Sequence, residues 1–162
     1  MIFGLDGFTL FHIVISLVGI ASGFAVVGGF LSNARLEGMT LVFLATTVAT
    51  NVTGFGFPFT QLLPSHVVAL ISLGVLAIAI YARYFAGMHG VWRPVYVISA
   101  TAALYLNVFV LIVQTFIKNP ALVALAPTQS EPPFAATQGL ALVLFLVLGW
   151  MAVRRFDAVV RG

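Results

Sequence analysis

The charges of this chain fall between long uncharged runs. Residues 7–34, 38–82, 94–117 and 132–153 carry no Asp, Glu, Lys or Arg. A helix of roughly 20 apolar residues crosses a hydrocarbon core about 30 Å thick, so the pattern predicts an all-α integral membrane protein. Helices are expected at about 8–31, 39–57, 64–85, 94–117 and 134–154. The run 38–82 is too long for one helix. Gly54-Phe55-Gly56-Phe57-Pro58 and Pro64-Ser65 divide it into two, because glycine and proline punctuate helical patterns. Pro94 falls in a first turn, where a missing N–H does little harm. The segment 118–133 holds Pro120, Pro127, Pro132 and Pro133 and is expected to be an extended loop without helix. The alternative to five crossings makes 39–57 a re-entrant segment and leaves four.

Five crossings place the two termini on opposite sides. Arg35, Arg83, Arg93, Arg154, Arg155 and Arg161 then share one side, and Lys118 lies on the other. Basic residues concentrate on the cytoplasmic side of membrane proteins, so the N-terminus is expected outside and the C-terminus in the cytoplasm. The expected location is an inner membrane, crossed several times. Tyr81, Tyr84, Trp92, Tyr96 and Trp150 are expected to form a belt at the cytoplasmic interface. Arg83 and Arg93 are expected to anchor lipid phosphates.

Composition agrees with this class. Hydrophobic residues make up 62% of the chain and charged ones 7%, too few charges to cover a water-facing surface. No soluble module is expected in 162 residues of this kind, and residues 1–162 read as a single transmembrane domain. The first apolar run lacks a basic leader and is too long for a signal peptide, so it is read as a retained helix. The net charge of +3 reflects residues at helix ends and implies no nucleic-acid partner. With no cysteine, thiolate metal sites and disulfides are excluded. No nucleotide-binding loop or zinc-protease motif is present. The absence of a mid-membrane carboxylate or lysine argues against a proton pump or voltage sensor.

Polar side chains inside membrane helices are costly and mark functional candidates. His12, Asn51, His66, Gln114 and Gln138 are expected at similar depth near the outer surface, one from each helix. His12, Ser16, Gly19 and Gly23 recur on one helical face, which small residues mark as a packing face toward another helix or a second copy. Asn107, Gln114 and Lys118 form a second stripe. Asp6 and Glu131 are the acidic groups able to close over this end. Two histidines at matched depth suit the axial positions of haem b. His12, His66 and Glu131 together suit a metal ion. Without either, the same groups suit a quinone, a lipid head group or another lipophilic ligand. The competing class is a non-catalytic accessory or scaffold subunit of a larger complex or homo-oligomer, with a small carrier or channel third. In the plainest reading Asn107, Gln114 and the threonines Thr46, Thr47, Thr50 and Thr53 simply join helices. These residues do not decide between an enzyme and a binder.

Overall fold

Charged and proline-bearing segments do end the helices in the computed structural model, which describes residues 6–57 and 64–157. Helix α1 runs Gly7–Leu31. Its N-cap, Asp6, accepts the Thr9 N–H at 2.9 Å and the Thr9 hydroxyl at 2.8 Å. The Thr9 N–H holds the Asp6 carboxyl below the ordinary carboxylate range. Helix α2 covers Glu37–Gly54 and α3 covers Pro64–Ile80. A π turn, Tyr81–Phe85, continues α3. Helix α4 spans Trp92–Lys118 and α6 spans Pro132–Arg155. The expected turn at 58–63 lies outside the described residues.

The segment 118–133 departs from expectation. Pro120–Leu125 form a short helix, α5. Asn119 caps it, its side chain accepting the Ala121 N–H at 3.0 Å. Pro120 occupies the first turn, where its ring preorganises the backbone instead of breaking it.

Four described helices are long and apolar enough to cross a membrane: Gly7–Leu31, Ser65–Phe85, Trp92–Lys118 and Pro132–Arg155. Helix α2 has 18 residues but is less apolar, because Glu37, Asn51 and its threonines lie within it. No strand occurs among the described residues.

Helix directions follow from the contacts. Helix α2 runs against α1, with His12 beside Thr53 at one end and Gly29 beside Leu36 at the other. Helix α4 also runs against α1, pairing Gly19 with Asn107 and Phe30 with Tyr96. Helix α6 runs against α4, through Phe116–Phe134 at one end and Thr101–Gly149 lower down. Helix α3 runs against α2, through Phe55–His66 and Glu37–Arg83. The α1–α2–α4 crossing is close because α1 presents glycine there. A Cβ on Gly23 would lie 2.6 Å from Leu104 Cδ1 and 2.9 Å from Phe43 Cε2. Small residues let membrane helices approach and gain dispersion contacts that lipid would otherwise supply. The face predicted from Gly19 and Gly23 is therefore used within the chain. Leu140, Leu146 and Trp150 are exposed on the outside, the surface available to lipid.

One end of the molecule gathers Arg35, Arg83, Arg93, Arg154 and Arg155; the other carries Lys118. Arg161 lies outside the described residues. The arginines differ in role, and two expectations are corrected here. Arg93 does not face lipid: its Nη1 donates to the Val153 carbonyl at 3.0 Å and to the Phe156 carbonyl, capping the C-terminus of α6 where a cation is favoured. Arg83 is buried and paired with Glu37 at 2.5 Å. Tyr96 is also not part of the interfacial belt. It is fully buried, with Phe30 edge-on at 5.4 Å and the Arg83 guanidinium 5.1 Å from its ring centre. Arg154 lies 4.3 Å over the exposed Trp150 ring, a cation–π pair suited to an interface.

Candidate functional site

The C-terminal end of α2 collects both candidate imidazoles. Helix α2 stops at Gly54, and Phe55 and Phe57 follow on a turn whose backbone folds back on Val52 and Thr53. His12, from α1, meets this turn at one point. Its Nδ1 lies 2.8 Å from Thr53 Oγ1, and its ring meets Phe57 edge-on with centres 5.1 Å apart. Phe8 adds a third ring, 5.0 Å from Phe57. His66, from the first turn of α3, meets the turn at another point. It is buried and stacked on Phe55, with ring centres 5.3 Å apart and planes 20° apart. Apolar walls and convergent polar groups are the general makings of a small-molecule site.

Asn51 and Asn107 lie deeper, Asn51 bonding within α2 and Asn107 between α4 and α2. Asn51 Nδ2 donates to the Thr47 carbonyl at 2.8 Å, and Asn107 Nδ2 donates to Thr47 Oγ1 at 3.2 Å. Gly19 leaves the space these groups occupy: a Cβ there would be 3.1 Å from Thr46 Oγ1 and 3.6 Å from Asn107 Nδ2. Ser16 reaches Thr50 at 3.4 Å. Both threonine stripes of α2 therefore face neighbours, Thr46, Thr50 and Thr53 toward α1, and Thr47 toward α1 and α4.

The remaining candidates separate from this end of α2. Gln138 bridges α6 to α4, its Nε2 donating to the Phe109 carbonyl at 3.2 Å; its Oε1 is buried with no partner among the described residues. Gln114 and Lys118 are exposed. Glu131 does not close over the histidines. It organises its own loop, accepting from the Thr128 N–H at 3.1 Å, the Thr128 hydroxyl at 2.8 Å and the Ser130 N–H at 3.1 Å. Desolvation pushes its carboxyl up, but the bonds from Thr128 and Ser130 together outweigh it and hold the group below the usual range. Asp6 is likewise occupied by Thr9. Among the described residues no group of three His, Cys, Asp or Glu is placed to hold a metal ion, so His12, His66 and Glu131 do not assemble as one ligand set. His89, at the arginine end, is exposed with Nδ1 3.0 Å from the Ala86 carbonyl.

A polar cluster that sequence reasoning missed lies at the arginine end. The π turn closes with the Ala86 N–H on the Tyr81 carbonyl at 2.9 Å and turns Arg83 inward. Its guanidinium meets Glu37, the Tyr84 and Tyr96 rings, and Met88 Sδ at 3.9 Å. Gly87 and Met88 both adopt φ +58°, which brings the chain back over the cluster. The one sequence signal was Glu37, an acid at the start of an otherwise uncharged run.

Comparison with protein-family models, with curated proteins and with solved structures finds no match to this chain.

Proposed function

We propose that the chain is a five-crossing inner-membrane protein that binds a lipophilic ring compound of the quinone class at the His12–His66 end. The observation that carries the ligand reading is the turn after α2, where Phe55 and Phe57 hold one imidazole each. A ring ligand needs flat apolar walls and a few polar groups to fix its orientation, and this turn supplies both chemistries. His12 and His66 are the groups that would bond a ring oxygen. Asn107 and Gln138 hold the helices around them.

The fifth crossing is α2. Its support is the pairing with α1 from Thr53 to Leu36, about 26 Å at 1.5 Å per residue, nearly the thickness of a hydrocarbon core. The arginine end is the cytoplasmic one by the charge bias. The chain has no cysteine, so single-cysteine labelling tests this directly. Ser130→Cys is expected to react with a membrane-impermeant maleimide in intact cells, and His89→Cys after permeabilisation alone. The reverse pattern would invert the orientation. Ser32→Cys, between α1 and α2, is expected to share the access of His89→Cys, and opposite access of these two would remove the fifth crossing.

The ligand is tested on protein purified in mild detergent. Mass spectrometry is expected to find an isoprenoid quinone, as the quinone or its hydroquinone, retained in stoichiometric amount. His12→Leu and His66→Leu should each lower it about tenfold, the effect of one lost hydrogen bond of roughly 1.4 kcal/mol. A Soret band lost in the same variants would replace quinone by haem b. A preparation that retains neither quinone nor hydroquinone, and binds neither an added short-chain benzoquinone nor its hydroquinone, ends the ligand reading. A larger protein partner in its place would favour the accessory-subunit role.

A further inference from the structure

We infer that His12 presents a bare, proton-accepting Nε2, so that its site selects a hydroxyl-bearing ring, a hydroquinone or phenol, over the corresponding quinone. The inference rests on the ligand reading above and adds the chemical form that is bound.

The argument starts at Thr53. Its hydroxyl has one proton to give. Thr53 Oγ1 lies 2.7 Å from the Ala49 carbonyl and 3.2 Å from the Thr50 carbonyl. A carbonyl oxygen can only accept, so the hydroxyl proton is committed to its own helix, the usual way threonine is accommodated in lipid. Were that proton turned to the imidazole instead, two oxygens would face each other at 2.7 Å with no hydrogen between them. At 2.8 Å from His12 Nδ1, the threonine oxygen must therefore accept, and Nδ1 must carry the hydrogen.

A neutral imidazole has one N–H and one lone pair. With the hydrogen fixed at Nδ1, the lone pair is at Nε2. Among the described residues Thr53 is the one hydrogen-bond partner of the His12 imidazole, and the ring is half-buried. Gly54 keeps the end of α2 off the imidazole: a Cβ there would stand 4.0 Å from His12 Cε1. A lone pair in that position accepts from O–H. It offers nothing to a quinone oxygen, which also accepts. Phe57, edge-on to the imidazole, supplies the neighbouring ring.

Two measurements on the full chain in detergent micelles test this at about pH 8, above the ordinary imidazole range. In protein labelled with ¹⁵N-histidine, the His12 signals are those missing from His12→Gln. They are expected to show a protonated Nδ1 and an unprotonated Nε2, and Thr53→Val should abolish that bias while Thr53→Ser keeps it. In anaerobic titrations, a short-chain hydroquinone should bind about tenfold tighter than its dimethyl ether, the scale of one hydrogen bond. Thr53→Val should erase the difference. A protonated Nε2 in the unsubstituted protein overturns the inference whatever binds. The expected tautomer with equal binding of both compounds overturns the preference and leaves the ligand reading standing. Binding of neither compound overturns both.

Discussion

Replacing Gly23 by leucine is expected to stop the helices from assembling at their closest crossing. A Cβ at this position already stands 2.6 Å from Leu104 Cδ1 and 2.9 Å from Phe43 Cε2. Leu104 and Phe43 are 0% and 1% exposed, so neither side chain has room to withdraw. Overpacking of this kind costs about 1–3 kcal/mol, and more for a large side chain among backbone-close helices. Gly23→Ala should fall near the low end and Gly23→Leu beyond the high end. Gly28→Leu is the control. Gly28 is exposed and a Cβ there meets nothing within 4 Å, so the change should leave stability level or raise it by up to about 1 kcal/mol through helix propensity. Thermal unfolding in detergent, followed by circular dichroism, measures all three. A Gly23→Leu protein as stable as the Gly28→Leu control would refute the close crossing of α1 with α2 and α4.

Glu37→Gln is expected to have the second large effect, a loss of about 3 kcal/mol. Breaking a buried ion pair costs roughly 3–5 kcal/mol because the surviving charge is left without compensation. Here the Arg83 side chain is 3% exposed, but that of Glu37 is 64% exposed, which places the effect at the low end. Glu37 also stands in the first turn of α2, where a negative charge contributes about 0.3–1 kcal/mol through the helix dipole. The informative variant is the double one. Arg83→Met together with Glu37→Gln removes the stranded cation, and most of the stability should return. A double variant no better than Glu37→Gln alone would mean that Arg83 holds the π turn by packing rather than by charge.

Helix positions were legible because the boundaries carry a charge, a proline or, at the end of α2, glycines. The run ending at Arg83 and the starts near Pro64, Pro94 and Pro132 needed no knowledge of neighbours. The helix at Pro120–Leu125 was not legible from proline content, because the same residue opens a helix when Asn119 caps it and breaks one elsewhere. The inward face of His12 could be read from its spacing with Ser16, Gly19 and Gly23. Its partner could not: Thr53 is chosen by the register of α2 against α1, which depends on the connection at 32–36. Gln114 and Gln138 looked alike in sequence, yet one is exposed and the other bridges α6 to α4. Arg83 and Tyr96 have the composition of an interfacial belt. Their burial follows from a π turn that rotates one side chain off the helical period, and hydrophobic patterning carries no sign of it.

The hydroxyls of α2 bond inward along their own helix: Thr46 to the Val42 carbonyl and Thr53 to the Ala49 carbonyl, each at 2.7 Å, with the Asn51 amide on the Thr47 carbonyl at 2.8 Å. During synthesis, this segment therefore reaches its place against α1 with those donors already satisfied. It can wait there beside α1 until α4 emerges many residues later and delivers the Asn107 amide to Thr47. The threonine-rich helix is thus equipped for the interval between its own folding and the arrival of its last partner.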